Sequence, residues 1–334
     1  MSGLTAEPPS TEPFERIDEA VCGGRAAPPE IADRARRLQT AVGANEPLCL
    51  RIARTLLGRP GARIALLTGF VVPGRYPVGE NDGPLGAAVL TRSLLRAGFR
   101  PTVYADPEVV ETMRWLLAEI GANAAAEAIP TDGGVDPGTI DIAIAIEKPG
   151  ANTEGVMHTF DGERIEAGSR SVDRLFHELA VRGKLTIGIG DQGNEIGFGL
   201  LGERLSKVHP DIGRCSCGCG GSIAAATATD LLYPAAVSNW GAYGLAAAIA
   251  LLSNRLDCTP TPKEERRLLL VAAVRGCCDG ARRRGTYGVD GITGDTSVQV
   301  VRELREIVIE AVGSPTQSAP VHDPVESGNE ALRE

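Results

Sequence analysis

The sequence predicts an α/β fold, a mostly parallel sheet with helices on both faces. Two observations carry that prediction. Short apolar runs of strand length alternate along the chain with amphipathic stretches of helical period. The runs are continuously apolar, as befits strands buried on both faces. At 43% hydrophobic residues, the 334-residue chain has enough apolar material for a large core.

The elements follow in order. Residues 63–70 (RIALLTGF) read as a buried strand, and 85–97 as a helix stopped by Gly98. Residues 101–105 form the next strand, 107–120 a helix ended by Gly121, and 122–129 a weaker strand. Residues 140–146 (IDIAIAI) are a strong strand, followed by a helix over 172–181 and a strand over 185–189. A helix is expected over 195–208, after a glycine turn, and three more over 239–254, 262–277 and 296–312. This succession predicts a Rossmann-like three-layer architecture. Residues 1–15 and 313–334 have the composition of disordered tails, leaving one domain over 16–312.

Composition narrows function. The net charge of -9, with no basic stripe, argues against nucleic acid. No apolar run approaches the ~20 residues of a membrane span. The N-terminal residues lack the apolar stretch of a secretory signal, so a cytoplasmic location is expected. Eight cysteines in such a chain suggest thiols or ligands rather than a disulfide framework.

In parallel sheets ligands sit beyond the carboxyl ends of the strands. Three such ends are rich in polar residues and glycine. The first is Thr68-Gly69-Phe70, leading to Gly79-Glu80-Asn81-Asp82-Gly83-Pro84. Asp82 could cap the helix after Pro84, whereas Glu80 has no such role, and both could hold a divalent metal or an ammonium group. The second is Glu147-Lys148-Pro149-Gly150, either a surface ion pair on a turn or an acid/base beside a carboxylate contact. The third, Gly188 to Gly199, contains Asp191, Gly193, Asn194 and Glu195. Its GxGxxG spacing is a weak dinucleotide signal, and Asp191 stands where a pyrophosphate would come, so no nucleotide cofactor is expected. Asp191, Asn194 and Glu195 look like metal or ammonium ligands, with Asn194 alternatively a cap.

Other features stay open. Cys215, Cys217 and Cys219 lack the usual CxxC zinc spacing and read either as ligands or as thiols of a glycine-rich loop. Ser238 or Asn239 can cap a helix in which Trp240 and Tyr243 belong to the core or to a site wall. Asp230 is a paired buried acid or a ligand. Arg282, Arg283 and Arg284 form a solvated face or an anion contact. No Ser/His/Asp pattern is present. Of 41 glycines, 6 fall in 61–86, 11 in 183–221 and 6 in 276–294, and the last stretch carries no recognisable motif.

The ordered set TGF…GENDGPLGA, AIEKPG, TIGIGDQGNEIGFG and AAVSNWGAYG resembles the C-terminal domain of D-glutamate cyclase over about residues 30–312. The resemblance implies a lyase that converts D-glutamate to 5-oxo-D-proline and water. It places Glu147, Lys148, Asp191 and Glu195 as catalytic, with Glu147 or Glu195 the base. Thr68, Gly69, Asn81, Gly193, Asn194, Ser238, Asn239 and Trp240 would bind substrate, Lys148 and Asn194 facing its carboxylates. Glu80, Asp82 and Asp191 would hold the ammonium or a divalent metal, Mg²⁺ or Mn²⁺. The chain departs from the family at Asn81 (commonly Thr), Gln192 (commonly Gly) and Lys148 (commonly Arg). Some such cyclases carry a hydro-lyase-like domain ahead of this one, which leaves two expectations here: a stand-alone enzyme, free to form a homo-oligomer, or one that needs a separately encoded hydro-lyase-like partner. The alternatives are an enzyme for another amino or hydroxy dicarboxylic acid, or a non-catalytic ligand-binding subunit.

Overall fold

A computed structural model of the chain describes residues 10–312 apart from Arg25 and Arg214. Among them, six parallel strands form one sheet in the order β3-β2-β1-β4-β5-β6. These are β1 (Arg63–Thr68), β2 (Arg100–Ala105), β3 (Ala126–Ala128), β4 (Ile142–Ile146), β5 (Leu185–Gly190) and β6 (Leu231–Pro234). The order reverses between β1 and β4, which opens a crevice at their carboxyl ends. A short hairpin, β7 (Gly288–Val289) with β8 (Ile292–Thr293), stands apart from the sheet.

The helices are α1 (Glu12–Val21), α2 (Pro29–Val42), α3 (Leu48–Leu57), α4 (Pro84–Arg96), α5 (Val110–Glu119), α6 (Asp173–Val181), α7 (Glu203–Val208), α8 (Ser238–Ser253), α9 (Pro262–Val274) and α10 (Gly294–Val312). Strand alternation sorts the two faces. Ile64, Leu66, Ile142, Ile144, Ile146, Ile187 and Ile189 point into a large core with α4, α5, α8, α9 and α10. Ala65, Leu67, Ala143 and Ala145 face α6 on the other side. Phe198, Leu205 and Leu232 form a smaller core with Leu38 of α2. The crossover helices therefore change face at the point where the strand order reverses.

Helix α8 is apolar around its circumference and runs through the middle of the large core. It packs against α4 at Gly86, where an added Cβ would stand 2.9 Å from the Asn239 backbone. Asn239 fixes the crossing: its Oδ1 accepts from Gly86 N–H at 2.6 Å, and its Nδ2 donates to Asn81 C=O at 3.0 Å. An acid from elsewhere caps α3, since Asp18 accepts from the Leu48 and Cys49 N–H groups at 2.6 and 3.1 Å.

The sequence expectations hold in outline and fail at particular places. Helix α1 begins at Glu12, inside the segment expected to be a tail, because Phe14 and Ile17 bury against the core. Residues 1–9 and 313–334 lie outside the described residues. The helix expected over 195–208 shrinks to Glu203–Val208. Gly193, Gly197 and Gly202 all have positive φ (110°, 113° and 53°), so the chain turns repeatedly before it can coil. Helices α1 to α3 and strand β6 had no sequence counterpart. No helix of the described residues is long and apolar enough to cross a membrane.

One buried ion pair braces three strand ends. Lys148 Nζ, just past β4, donates to both Asp106 oxygens at 2.7 and 2.8 Å and to Gly69 C=O at 3.1 Å. Both side chains are fully buried. Burial pushes the Asp106 carboxyl up and the Lys148 ammonium down, and their contact opposes both shifts. Replacing Lys148 by Met leaves Asp106 buried and unpaired, at an expected cost of about 3–5 kcal/mol. The double variant K148M/D106L should recover most of that loss. Urea unfolding midpoints at constant slope check both outcomes.

Candidate active site

The crevice is built by loops that the sequence forces to turn. After β1, Gly79 adopts φ 91°, Glu80 N–H donates to Phe70 C=O at 3.0 Å, and Asn81 N–H donates to Cys278 C=O at 2.8 Å. The last bond ties this loop to the glycine-rich stretch of residues 276–294. Asp82 then points across to α8, accepting from Ser238 N–H at 2.9 Å and Asn239 N–H at 2.7 Å. It caps α8 from a distance, although the sequence allowed it as a cap of its own helix α4.

After β4, Glu147 takes φ 47°, a left-handed conformation rare for a side-chain-bearing residue. Its Oε2 accepts from Ser238 Oγ at 2.6 Å. After β5, Asp191 follows directly on Gly190, and its Oδ2 lies 3.5 Å from the Arg34 guanidinium of α2. Asp290, in the turn between β7 and β8, closes the ring and also has positive φ (50°). It is in hydrogen-bond contact with both Glu80 and Asp82.

These groups surround a cavity of about 340 Å³. Glu80, Glu147, Asp191 and Asp290 line it together with Arg34, Arg75 and Arg283. One oxygen from each of Asp82, Glu147 and Asp191 lies within 4.8 Å of the others, and all three residues are buried. Burial is the largest cause raising the Glu80, Asp82, Glu147 and Asp191 carboxyls well above the usual carboxylate range, with neighbouring acids adding to it. Asp290 is raised by burial too, while its contacts with Glu80 and Asp82 oppose the shift. Arg34 and Arg75 each keep a buried Nε without a partner. The cavity thus offers clustered acids to a cation, with three guanidinium groups along its wall. An all-oxygen donor set of this kind fits a hard divalent ion as well as an ammonium group.

The structure divides the residues singled out in the sequence. Asp82, Glu147 and Asp191 converge as described, and Glu80 joins the ring through Asp290. Glu195 does not reach the cavity wall: its carboxylate accepts from the N–H groups of Asp191, Gln192 and Gly193 at 3.2, 3.0 and 2.6 Å. It shapes the turn that presents Asp191. Lys148 is spent on Asp106 and does not line the cavity. Asn194 lines the cavity, its Nδ2 donating one proton to His158 C=O at 3.0 Å while its Oδ1 has no partner. The Oδ1 can accept from an ammonium group, and the second Nδ2 proton is left for another acceptor.

The remaining positions support the site from behind. Thr68 is buried, the Gly69 carbonyl holds Lys148, and Gly193 packs close to Leu205 and Ile212. Asn81 Nδ2 donates to Gly288 C=O at 2.6 Å. Ser238 orients Glu147, and Asn239 clamps the two helices. Trp240 belongs to the core, its Nε1 donating to Ser297 Oγ at 2.8 Å. Asp230 is exposed at the start of the sheet and accepts from Thr186 N–H at 2.8 Å, so it is neither buried nor a ligand of this site.

Several lining residues had no sequence signal of their own. Arg34 sits on a helix with no strand before it, and Arg75 in a loop. Asp290 comes from the unexplained glycine stretch, as does Arg283, which the sequence marked only as part of an arginine run that is a solvated face or an anion contact. Arg283 donates to Asp161 at 3.1 Å, and Arg75 donates to the same carboxylate at 2.7 Å. Arg282, in contrast, is spent on Asp279 at 2.8 Å. The cysteines do not enter this cavity. Cys215, Cys217 and Cys219 gather beside His158, which directly precedes the cavity-lining segment Thr159–Asp161. The Cys215 thiol is lowered to about 7, chiefly by its hydrogen bond with Cys219.

Comparison with known proteins agrees with this architecture. Human mitochondrial D-glutamate cyclase is 29% identical over an alignment of 214 residues that covers 57% of this chain. The matched segment spans 33% of the human protein, about a third of that curated relative's length. The profile described as "D-glutamate cyclase-like, C-terminal" matches residues 32–305, from α2 into α10 and across every loop of the crevice. The chain belongs to the D-glutamate cyclase-like, C-terminal family.

Proposed function

We propose that the chain is a lyase that closes D-glutamate to 5-oxo-D-proline with loss of water. The observation that carries this reading is the convergence of Asp82, Glu147 and Asp191, raised in pKa, at a cavity that Glu147 and Asp191 line together with three arginines. Family membership and the human relative's name support the substrate class.

The reaction sets three demands. The amine becomes nucleophilic only after its ammonium loses a proton. A base for that step needs a pKa well above that of an ordinary glutamate, and Glu147 has it. Asp191 and Asp82 hold the ammonium beside it, with Asn194 Oδ1 as a further acceptor. The substrate carboxylates face Arg34, Arg75 and Arg283, which offset the negative charge that would repel the incoming amine. Folding a short dicarboxylate into this cavity brings the nitrogen within reach of the side-chain carboxyl carbon.

The new N–C bond forms as a C–O bond breaks. Two protons leave the nitrogen in all, and the departing oxygen takes two and leaves as water. Glu147 accepts a proton from nitrogen and can return it to that oxygen. Glu80 and Asp290, held protonated more readily than free carboxyls, stand nearby as further donors. A divalent ion on Asp82, Glu147 and Asp191 would supply Lewis-acid masking of carboxylate charge. The residues fit such an ion, and none of the proton transfers above depends on it.

Incubating the protein with D-glutamate, with and without Mg²⁺ or Mn²⁺, and following 5-oxoproline tests the proposal. Turnover is expected in at least one condition, and folded protein inert in all of them refutes it. Replacing Glu147 by Gln should lower kcat by roughly 10²–10⁴-fold. The same change relieves the crowding of buried acids, so its unfolding midpoint at neutral pH should match or exceed the parent's.

The pH dependence has a definite sign. Turnover needs Glu147 ionised, so the acid limb of the rate profile should lie well above the ~4.3 of a free glutamate. The raised carboxyls bind protons more tightly in the folded state. Their stabilising contribution is complete below the unfolded values near ~4 and is lost as pH rises through the folded values. Without ligand, the protein should melt at lower temperature as pH rises through that window. A melting temperature that climbs there contradicts the assignment.

A further inference from the structure

We infer that His158, Cys215, Cys217 and Cys219 form a structural zinc site, separate from the carboxylate cluster, that fastens one wall of the cavity. One ligand atom from each of the four lies within 4.8 Å of the others. Cys215 Sγ is 3.3 Å from Cys217 Sγ and 3.2 Å from Cys219 Sγ. His158 Nε2 is 3.2 Å from Cys217 Sγ and 3.8 Å from Cys219 Sγ. A tetrahedral Zn²⁺ with its usual bond lengths has ligand–ligand edges of about 3.5–3.8 Å, so small adjustments admit the ion. The sulfurs are too far apart for a disulfide bond, and all three cysteines are free.

The surroundings match a thiolate site. Cys219 Sγ accepts from Asn152 Nδ2 and from Gly221 N–H, each at 3.4 Å, as the outer partners of zinc-bound sulfur do. Gly218 and Gly220 have φ 80° and 85°, which lets the short CxCxC run curl until its sulfurs share one side. Three sulfurs and one imidazole suit zinc and not the hard ions that an all-carboxylate site takes. On binding, the thiols lose their protons to solvent and the sulfurs become ligands.

The site joins two loops. His158 belongs to the segment after β4, and the cysteines to the segment between α7 and β6. Two hydrogen bonds reinforce the junction: Ser216 Oγ donates to Gly162 C=O at 3.2 Å, and Asn152 Nδ2 donates to Ser222 C=O at 2.7 Å. His158 also accepts, through its carbonyl, from Asn194 of the cavity wall at 3.0 Å. Zinc at this place would hold Thr159–Asp161 against the cavity without touching substrate.

The test uses the full chain purified without chelator. Elemental analysis should find one zinc per chain. Replacing that zinc with Co²⁺ should produce thiolate-to-cobalt charge-transfer absorption and the d–d bands of a tetrahedral ion. C217S and C219S should lose the zinc, whereas D191N should keep it, which separates this site from the carboxylates. If the cysteine variants do not fold, Co²⁺ titration of chelator-stripped wild type decides the question in their place. Folded wild type with no zinc, three freely titrating thiols and no cobalt absorption overturns the inference. So does iron with sulfide in place of zinc.

Discussion

Glu80, Asp82, Glu147, Asp191 and Asp290 are held out of water in one crevice, closer together than five ionised groups can comfortably stand. Each is raised from its ordinary pKa, with burial the leading cause. A fold selected only for stability would place apolar residues there. The structure instead commits backbone strain at Glu147 and Asp290, a helix N-terminus at Asp82 and a dedicated turn at Asp191 to keep the acids in place. A cation bound among these acids would relieve their crowding.

The sheet makes that arrangement possible. Reversal of the strand order between β1 and β4 leaves the ends of β1, β4 and β5 open toward a common space. The Lys148–Asp106 pair fixes the strand ends beneath the crevice, and Asn239 fixes α4 against α8 beside it. The hairpin β7–β8 brings Asp290 from far along the chain to complete the ring. Charge inside the cavity is therefore set by rigid elements more than by the loops alone.

Much of this was legible in the sequence. Glu147 and Asp191 stand out because each directly follows an apolar strand, and Glu80 and Asp82 because they follow β1 in a glycine-rich turn. The roles were harder to read. Lys148 shares the strand end with Glu147, but successive residues point to opposite sides, so it turns away toward Asp106. Glu195 carries the residue type of a base, yet its distance from Asp191 is what closes the turn upon itself. Trp240 is scarce in kind but lies on a helix buried all round. Asp290, Arg34 and Arg75 come from segments without a strand-end signature, and only the tertiary fold brings them to the cavity. The glycines of residues 276–294 marked where that missing wall lay without revealing what it held.

Under the proposed function, buried acids raised in pKa receive the substrate's cationic end. Carbon-13 NMR titration of the aspartate and glutamate carboxyls, with and without D-glutamate, measures it directly. A group of carboxyls should titrate well above ~4 in the free protein, with values that fall when D-glutamate binds, and Glu147→Gln should remove one of them. Carboxyls that all titrate in the ordinary range, unmoved by D-glutamate, would contradict it.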